Sequence, residues 1–295
     1  MPALLPYIAL LVANVGLGAV PILVRLAQAE AMPSLSIAAL RMTMAALILT
    51  PYMLARHRHE PRQLSRREGL WIGVAGFAAA MFYVLFFNSL EYTSVLIASV
   101  FSGTNPLWVA VMEIALLGAA LRRSIWAGLA LVLVGSTLFA LSGSAGAVKT
   151  GDNPLLGGGL ALLAALATAT YYTIGRWVRQ RVSALVYLWL IILTAVVVLL
   201  IIALLTGSPL TGYSVQGYGW VLLMTVGAQI IGQASIAYAL AHLSSTFVSI
   251  ALQLSIVIGA ALALLIFQEH PQPLQMVASA VIVAGVLVVI VQPRH

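Results

Sequence analysis

Cysteine is absent from all 295 residues, which excludes disulfides, thiolate catalysis and cysteine-ligated metals. Charge is scarce too: Asp, Glu, Lys and Arg make up 7% of the chain, against about 25% in a soluble domain. So few charges cannot clothe a globular surface, and with 62% apolar residues the chain must take lipid as its solvent. No Asp, Glu or His falls at the middle of an apolar run. No run carries His or Glu at metal-ligand spacing, and no serine has a candidate base at its own depth. An enzyme is therefore unsupported and no cofactor is expected. The net charge of +7 does not indicate nucleic acid, because the positive residues sit in short gaps between apolar runs, where membrane topology accounts for them. No Lys or Arg precedes the first apolar run, unlike the start of a cleaved signal peptide, so that run reads as a span.

What is present is a set of ten apolar runs: 4–24, 33–54, 69–90, 92–118, 125–142, 155–175, 184–206, 217–241, 243–267 and 273–291. Most approach or exceed the roughly 20 residues a membrane-crossing helix needs. The gaps between the third and fourth runs, and between the eighth and ninth, are nearly absent and predict tight helical hairpins. Residues 69–139 align without a gap on 219–289 at a shift of 150, with Gly69 on Gly219, Leu90 on Leu240, Ser94 on Ser244, Ser99 on Ser249 and Gly135 on Gly285. A Gly- and Ser-rich stretch then divides the chain into a first unit 1–142, a linker 143–154 and a second unit 155–295. Five spans per unit is an odd number, so the second unit starts on the opposite side. The expected fold is an all-α integral membrane protein: ten transmembrane helices as two inverted five-helix repeats around a central cavity. Duplicated membrane units are a common architecture of secondary transporters, with the site near the midplane.

Arginines set the expected orientation. With the N-terminus inside, the inner gaps hold Arg56, Arg58, Arg62, Arg66, Arg67, Arg122, Arg123, Arg176, Arg179, Arg181 and Arg294, and the outer ones only Arg25 and Lys149. Both termini then face the cytoplasm from the cell inner (plasma) membrane.

Polar groups within spans are costly and tend to face a cavity or each other. Asn14, central in the first span among small residues, fits either helix packing or a cavity wall. Arg41 is the one basic residue deep in a span; it either snorkels outward or offers a fixed charge to an anionic group, whose two oxygens its planar fork can bind. The fourth span carries Ser99, Ser102, Asn105 and Pro106, and proline at the midplane predicts a broken helix there. Glu113, about two turns nearer the cytoplasm, is expected to pair with Arg122 or Arg123 rather than carry protons. Thr225, Gln229 and Gln233 follow at i, i+4 and i+8 in the eighth span, and Ser245, Ser249 and Gln253 in the ninth, with Ser255 beside them. Such spacing puts each set on one helix face. Tyr83 reads as cavity wall, Tyr171 and Tyr172 are ambiguous, and Tyr187 and Trp189 read as interface anchors.

Taken together, the span pattern with Ala39-Leu40-Arg41, and the Phe267-Gln268-Glu269 turn followed by Gly285, resembles the drug/metabolite transporter superfamily, in particular its ten-helix EamA-type group. In the first half the turn reads Leu117-Gly118-Ala119 before Gly135, with Ala in place of Glu, and the usual Trp of span one is missing. The resemblance implies two inverted five-helix halves and export of metabolites, with one branch exporting aromatic amino acids. The expected function is export of small neutral or zwitterionic metabolites, foremost amino acids including aromatic ones, by alternating access. Proton-driven drug or cation efflux through Glu113, and a non-transporting scaffold, are the rivals. The expected partners are a small-molecule substrate and the bilayer, no nucleic acid, with a monomer sufficient.

Overall fold

The structure, a computed structural model, describes residues 4–57, 59–93, 95–142, 153–268 and 271–291. Arg58, Ser94, Lys149, Glu269, His270, Arg294 and residues 143–152 of the linker lie outside them.

Thirteen α-helices make up ten membrane-capable segments among the described residues. The first repeat comprises α1 (Leu5–Ala29), α2 (Ser34–Arg56), α3 (Arg66–Tyr92), α4 (Val95–Ser102) with α5 (Asn105–Leu117), and α6 (Arg123–Ser142). The second comprises α7 (Pro154–Val178), α8 (Ala184–Leu205), α9 (Val215–Met224) with α10 (Gln233–His242), α11 (Ser245–Leu252) with α12 (Leu254–Phe267), and α13 (Pro273–Val291). Local chemistry starts and stops these helices. Ser65 and Glu68 form a capping box at α3, Ser183, Ser214 and Ser244 cap α8, α9 and α11, and Gly118 ends α5 in the left-handed conformation. The hairpin gaps after α3 and α10 are two residues long, as the sequence predicts.

The helix pairings obey the repeat. The third span packs along the sixth, and its mate, the eighth, packs along the first; the fourth packs on the sixth, and the ninth on the first. The second and seventh spans pair across the axis, as do the fifth and tenth. Without a hydrophobic drive in lipid, such contacts rely on small residues that let backbones approach. Gly18 meets α12 so closely that a Cβ there would lie 2.9 Å from the Ser255 carbonyl oxygen, and one on Gly285 would lie 3.0 Å from that of Gly128.

One end of the bundle collects the arginines. Glu60 accepts from the Ser183 amide (2.7 Å), Arg181 lies 3.8 Å from Glu68, and Arg67 lies over the Trp177 ring, so the gaps after α2 and α7 share a face. Arg176 and Arg179 donate to the Leu240 and Ala237 carbonyls, which brings the end of α10 there too.

Candidate functional site

Among the described residues, three spans depart from regular α-helix, and all three do so near mid-depth. The fourth breaks between Ser102 and Asn105, just before Pro106, and the Gly103 amide turns back to the Ser99 carbonyl. The ninth breaks at Gln253, one repeat shift from Gly103, with no proline present. The two breaks touch: Gln253 Nε2 donates to the Gly103 carbonyl (3.4 Å) and to Ser136 Oγ (3.1 Å). The eighth span widens into a π-helical stretch, Thr225–Gly232, a geometry often found at functional sites. The breaks free backbone groups at a depth where lipid would not satisfy them, which is tolerable next to a cavity or a neighbouring helix.

These irregularities surround a cavity of about 320 Å³. Its wall includes Arg41, Tyr83, Asn105, Gln229, Gln233 and Gln253, six of the ten residues chosen from sequence. The other four stand outside the wall. Asn14 is buried with its amide turned back to the Leu10 carbonyl (2.8 Å), Ser249 bonds the Thr246 carbonyl (2.9 Å), and Ser102 donates to the carbonyl of Ser99 (3.3 Å). These are local helix bonds, which short polar side chains make in competition with a cavity. Thr225, head of the eighth-span stripe, bonds the Val221 and Arg41 carbonyls instead of facing the cavity.

Arg41 does not snorkel. It is 5% exposed, its Nη2 donates to the Tyr83 hydroxyl, and its guanidinium carbon lies 5.0 Å from the Tyr83 ring centroid. Its Nε is buried with no hydrogen-bond partner, as is Oε1 of Gln229. Among the described residues lining the cavity, Arg41 alone carries a charge. The remaining wall is aromatic and aliphatic. Phe82 meets Tyr83 edge to face at 5.2 Å, and Tyr171 and Tyr172, ambiguous in the sequence, both line the cavity with ring centres 4.5 Å apart. Pro21 adds a kink point in α1, leaving the Leu17 carbonyl without its usual donor, and both residues face the cavity.

Two readings of the sequence are corrected. Tyr187 and Trp189 are not interface anchors. Both are buried; Tyr187 lines the cavity and donates to the Tyr171 carbonyl (3.0 Å), and Trp189 Nε1 donates to Thr50 (2.9 Å). Their position near a span end misled, because the cavity reaches further toward the arginine-rich end than the midplane. Glu113 does not pair with Arg122 or Arg123; both its oxygens accept from the first residues of α11. The aromatic wall residues that sequence reasoning did not choose are Phe82, Tyr171, Tyr172 and Tyr187, and a tyrosine hydroxyl away from the midplane is a weak signal without its partner in view.

The comparisons with known proteins agree with this architecture. No curated protein matches the chain. A solved structure titled "Crystal structure of protein" has a TM-score of 0.83 over 96% of each chain at 18% identity, which shows the fold. The sequence profile of the EamA-like transporter family matches residues 4–141 and again 155–291, one match per five-span repeat. The chain belongs to the EamA-like transporter family and is a multi-pass membrane protein of the drug/metabolite transporter type.

Proposed function

We propose that the protein exports small zwitterionic metabolites, foremost amino acids including aromatic ones, by alternating access around the central cavity. One observation carries this reading: a buried arginine in a cavity whose described wall holds no carboxylate. A buried charge without a counter-ion is costly, and a substrate carboxylate removes that cost. The guanidinium presents donors in a planar fork suited to two oxygens, and its buried Nε has no hydrogen-bond partner within the protein. The substrate ammonium then meets side-chain amide oxygens of the wall, which Asn105, Gln229, Gln233 and Gln253 supply, and an apolar or aromatic side chain rests among Tyr83, Tyr171, Tyr172 and Tyr187. The volume lies at the small end of ligand pockets, which run from about 300 to 1,000 Å³, and suits a single metabolite.

A lipophilic cation would face the charge of Arg41 unscreened, and Glu113, the residue a proton-driven route needs, stands outside the cavity wall. The arginine bias supports a plasma-membrane protein with both termini in the cytoplasm. Eight spans of one chain line the cavity, so a monomer suffices.

Counterflow in proteoliposomes preloaded with neutral amino acids tests the reading, with the methyl esters of the same compounds alongside and with or without a pH gradient. Saturable exchange of the free acids and weak exchange of the esters is the expected result. Equal exchange of acid and ester removes the carboxylate from the account, and flat traces for both defeat the amino-acid assignment.

A further inference from the structure

We infer that Glu113 is a latch between the two repeats that holds the arginine-rich end of the cavity closed at rest. The residue lies near the C-terminal end of α5, in the first repeat, and is 2% exposed. Its Oε1 accepts from the Ser245 amide (3.0 Å), and its Oε2 from the Thr246 amide (2.8 Å) and the Thr246 hydroxyl (2.5 Å). Ser245 and Thr246 open α11 in the second repeat, so their N–H groups have no acceptor within their own helix. A carboxylate there satisfies both and sits at the positive end of the helix dipole. Ser245 and Thr246 are fully buried. Losing the acceptor therefore strands donors away from water, an arrangement more costly than simply losing a hydrogen bond.

The repeat-related position at the opposite end has no carboxylate to make this contact. The 150-residue shift carries Glu113 to Ala263, and Ser245 and Thr246 to Val95 and Leu96. Ala263 has no side-chain acceptor, so the repeat-related contact cannot form. Two chemically equal ends would give an inverted repeat no preference between closing one and closing the other. At the arginine-rich end three buried hydrogen bonds converge on one carboxylate, whereas the bonds between repeats at the other end, Ser214 Oγ to Glu30 (2.6 Å) and Ser36 Oγ to the Pro209 carbonyl (2.7 Å), lie at exposed or half-buried positions. The packing agrees: Leu10, Val109, Leu240, Leu243 and Val248 form a continuous apolar plug on the arginine-rich side. The latch joins α5 to the turn of the α10–α11 hairpin, so opening that end requires this contact to break before the hairpin can swing.

The lack of native cysteine makes the test clean, because a single introduced thiol reports accessibility without background. Ala237→Cys places it on the buried cavity wall of α10. The full-length protein in oriented vesicles is exposed to a membrane-impermeant maleimide at the arginine-rich face only, so no substrate is needed. Glu113→Ala is expected to speed labelling by about tenfold or more, and Thr246→Val, which loses only the hydroxyl bond, by roughly threefold. If Glu113→Ala fails to fold, Thr246→Val decides alone. Labelling at the parent rate in Thr246→Val, or in a folded Glu113→Ala, overturns the latch.

Discussion

The two halves of the ninth span are built from the same kinds of residue and packed in opposite ways. In α11, seven of eight residues are buried; in α12, which continues the same span past Gln253, none of the fourteen is. Hydropathy does not explain this, since α12 is the more apolar of the two. The difference lies in neighbours. The buried half begins under the Glu113 carboxylate and packs against α5, α7 and α10, whereas the other half has its principal contact, a glycine-mediated crossing, with α1. A transporter working by alternating access must seal one end while the other admits solute, and a sealed end needs a helix with partners on every side. The contrast between α11 and α12 is that requirement expressed along a single span, with the break at Gln253 as the boundary.

The most direct way to break the comparison is to remove the same atoms from each half. Ile250 in α11 is 1% exposed, and Ile266 in α12 is 55% exposed. Ile250→Ala is expected to cost roughly 2–4 kcal/mol by leaving a cavity that its neighbours only partly fill. Ile266→Ala gives up contact with lipid alone and should cost under about 0.5 kcal/mol. Thermal unfolding of the two purified variants in one detergent checks this; equal losses would mean that the observed asymmetry of packing carries no energy.

Arg41 sharpens the comparison from the other side. It lies fifteen residues before Arg56 on α2, hence about 22 Å from the arginine-rich end, on the far side of the cavity from the Glu113 contact. Arg41→Ala should lower the affinity for a carboxylate-bearing substrate by roughly 30- to 100-fold, the size of a lost charge-assisted hydrogen bond. Arg41→Lys should recover little of it, because a point charge replaces the fork and loses the stacking on Tyr83. Equilibrium binding to protein in detergent measures both. Retained affinity in Arg41→Ala would return the residue to a purely structural role in holding Tyr83.

How much of this was legible in the sequence follows from range. The ten spans and both hairpin turns depend on local hydropathy, and the break of the fourth span on one proline, so each could be read directly. The break at Gln253 has no proline to announce it; only the repeat shift onto Gly103 points there, and the side chain that spans the two breaks is visible only once they are brought together. The π-helical stretch is likewise silent, so the stripe of Thr225, Gln229 and Gln233 reads as one face although only the two glutamines reach the cavity. Glu113 and Tyr187 were misassigned for a shared reason. Their partners lie 132 and 16 residues away on other helices, while arginines and a membrane interface lay nearer along the chain.

The smallest effect concerns the boundary itself. Gln253 lines the cavity, so replacing it would mix binding with motion, but Ser136 on α6 accepts its amide without lining the cavity. Ser136→Ala removes one neutral hydrogen bond, worth about 1 kcal/mol, from the point where the two broken helices meet. If that point is a pivot between the sealed and open halves, loosening it should change the exchange rate by roughly two- to fivefold and leave substrate affinity where it was. A shift in affinity with an unchanged rate would place Ser136 in the solute's environment instead, and the boundary between α11 and α12 would then be a feature of the binding site rather than of the motion around it.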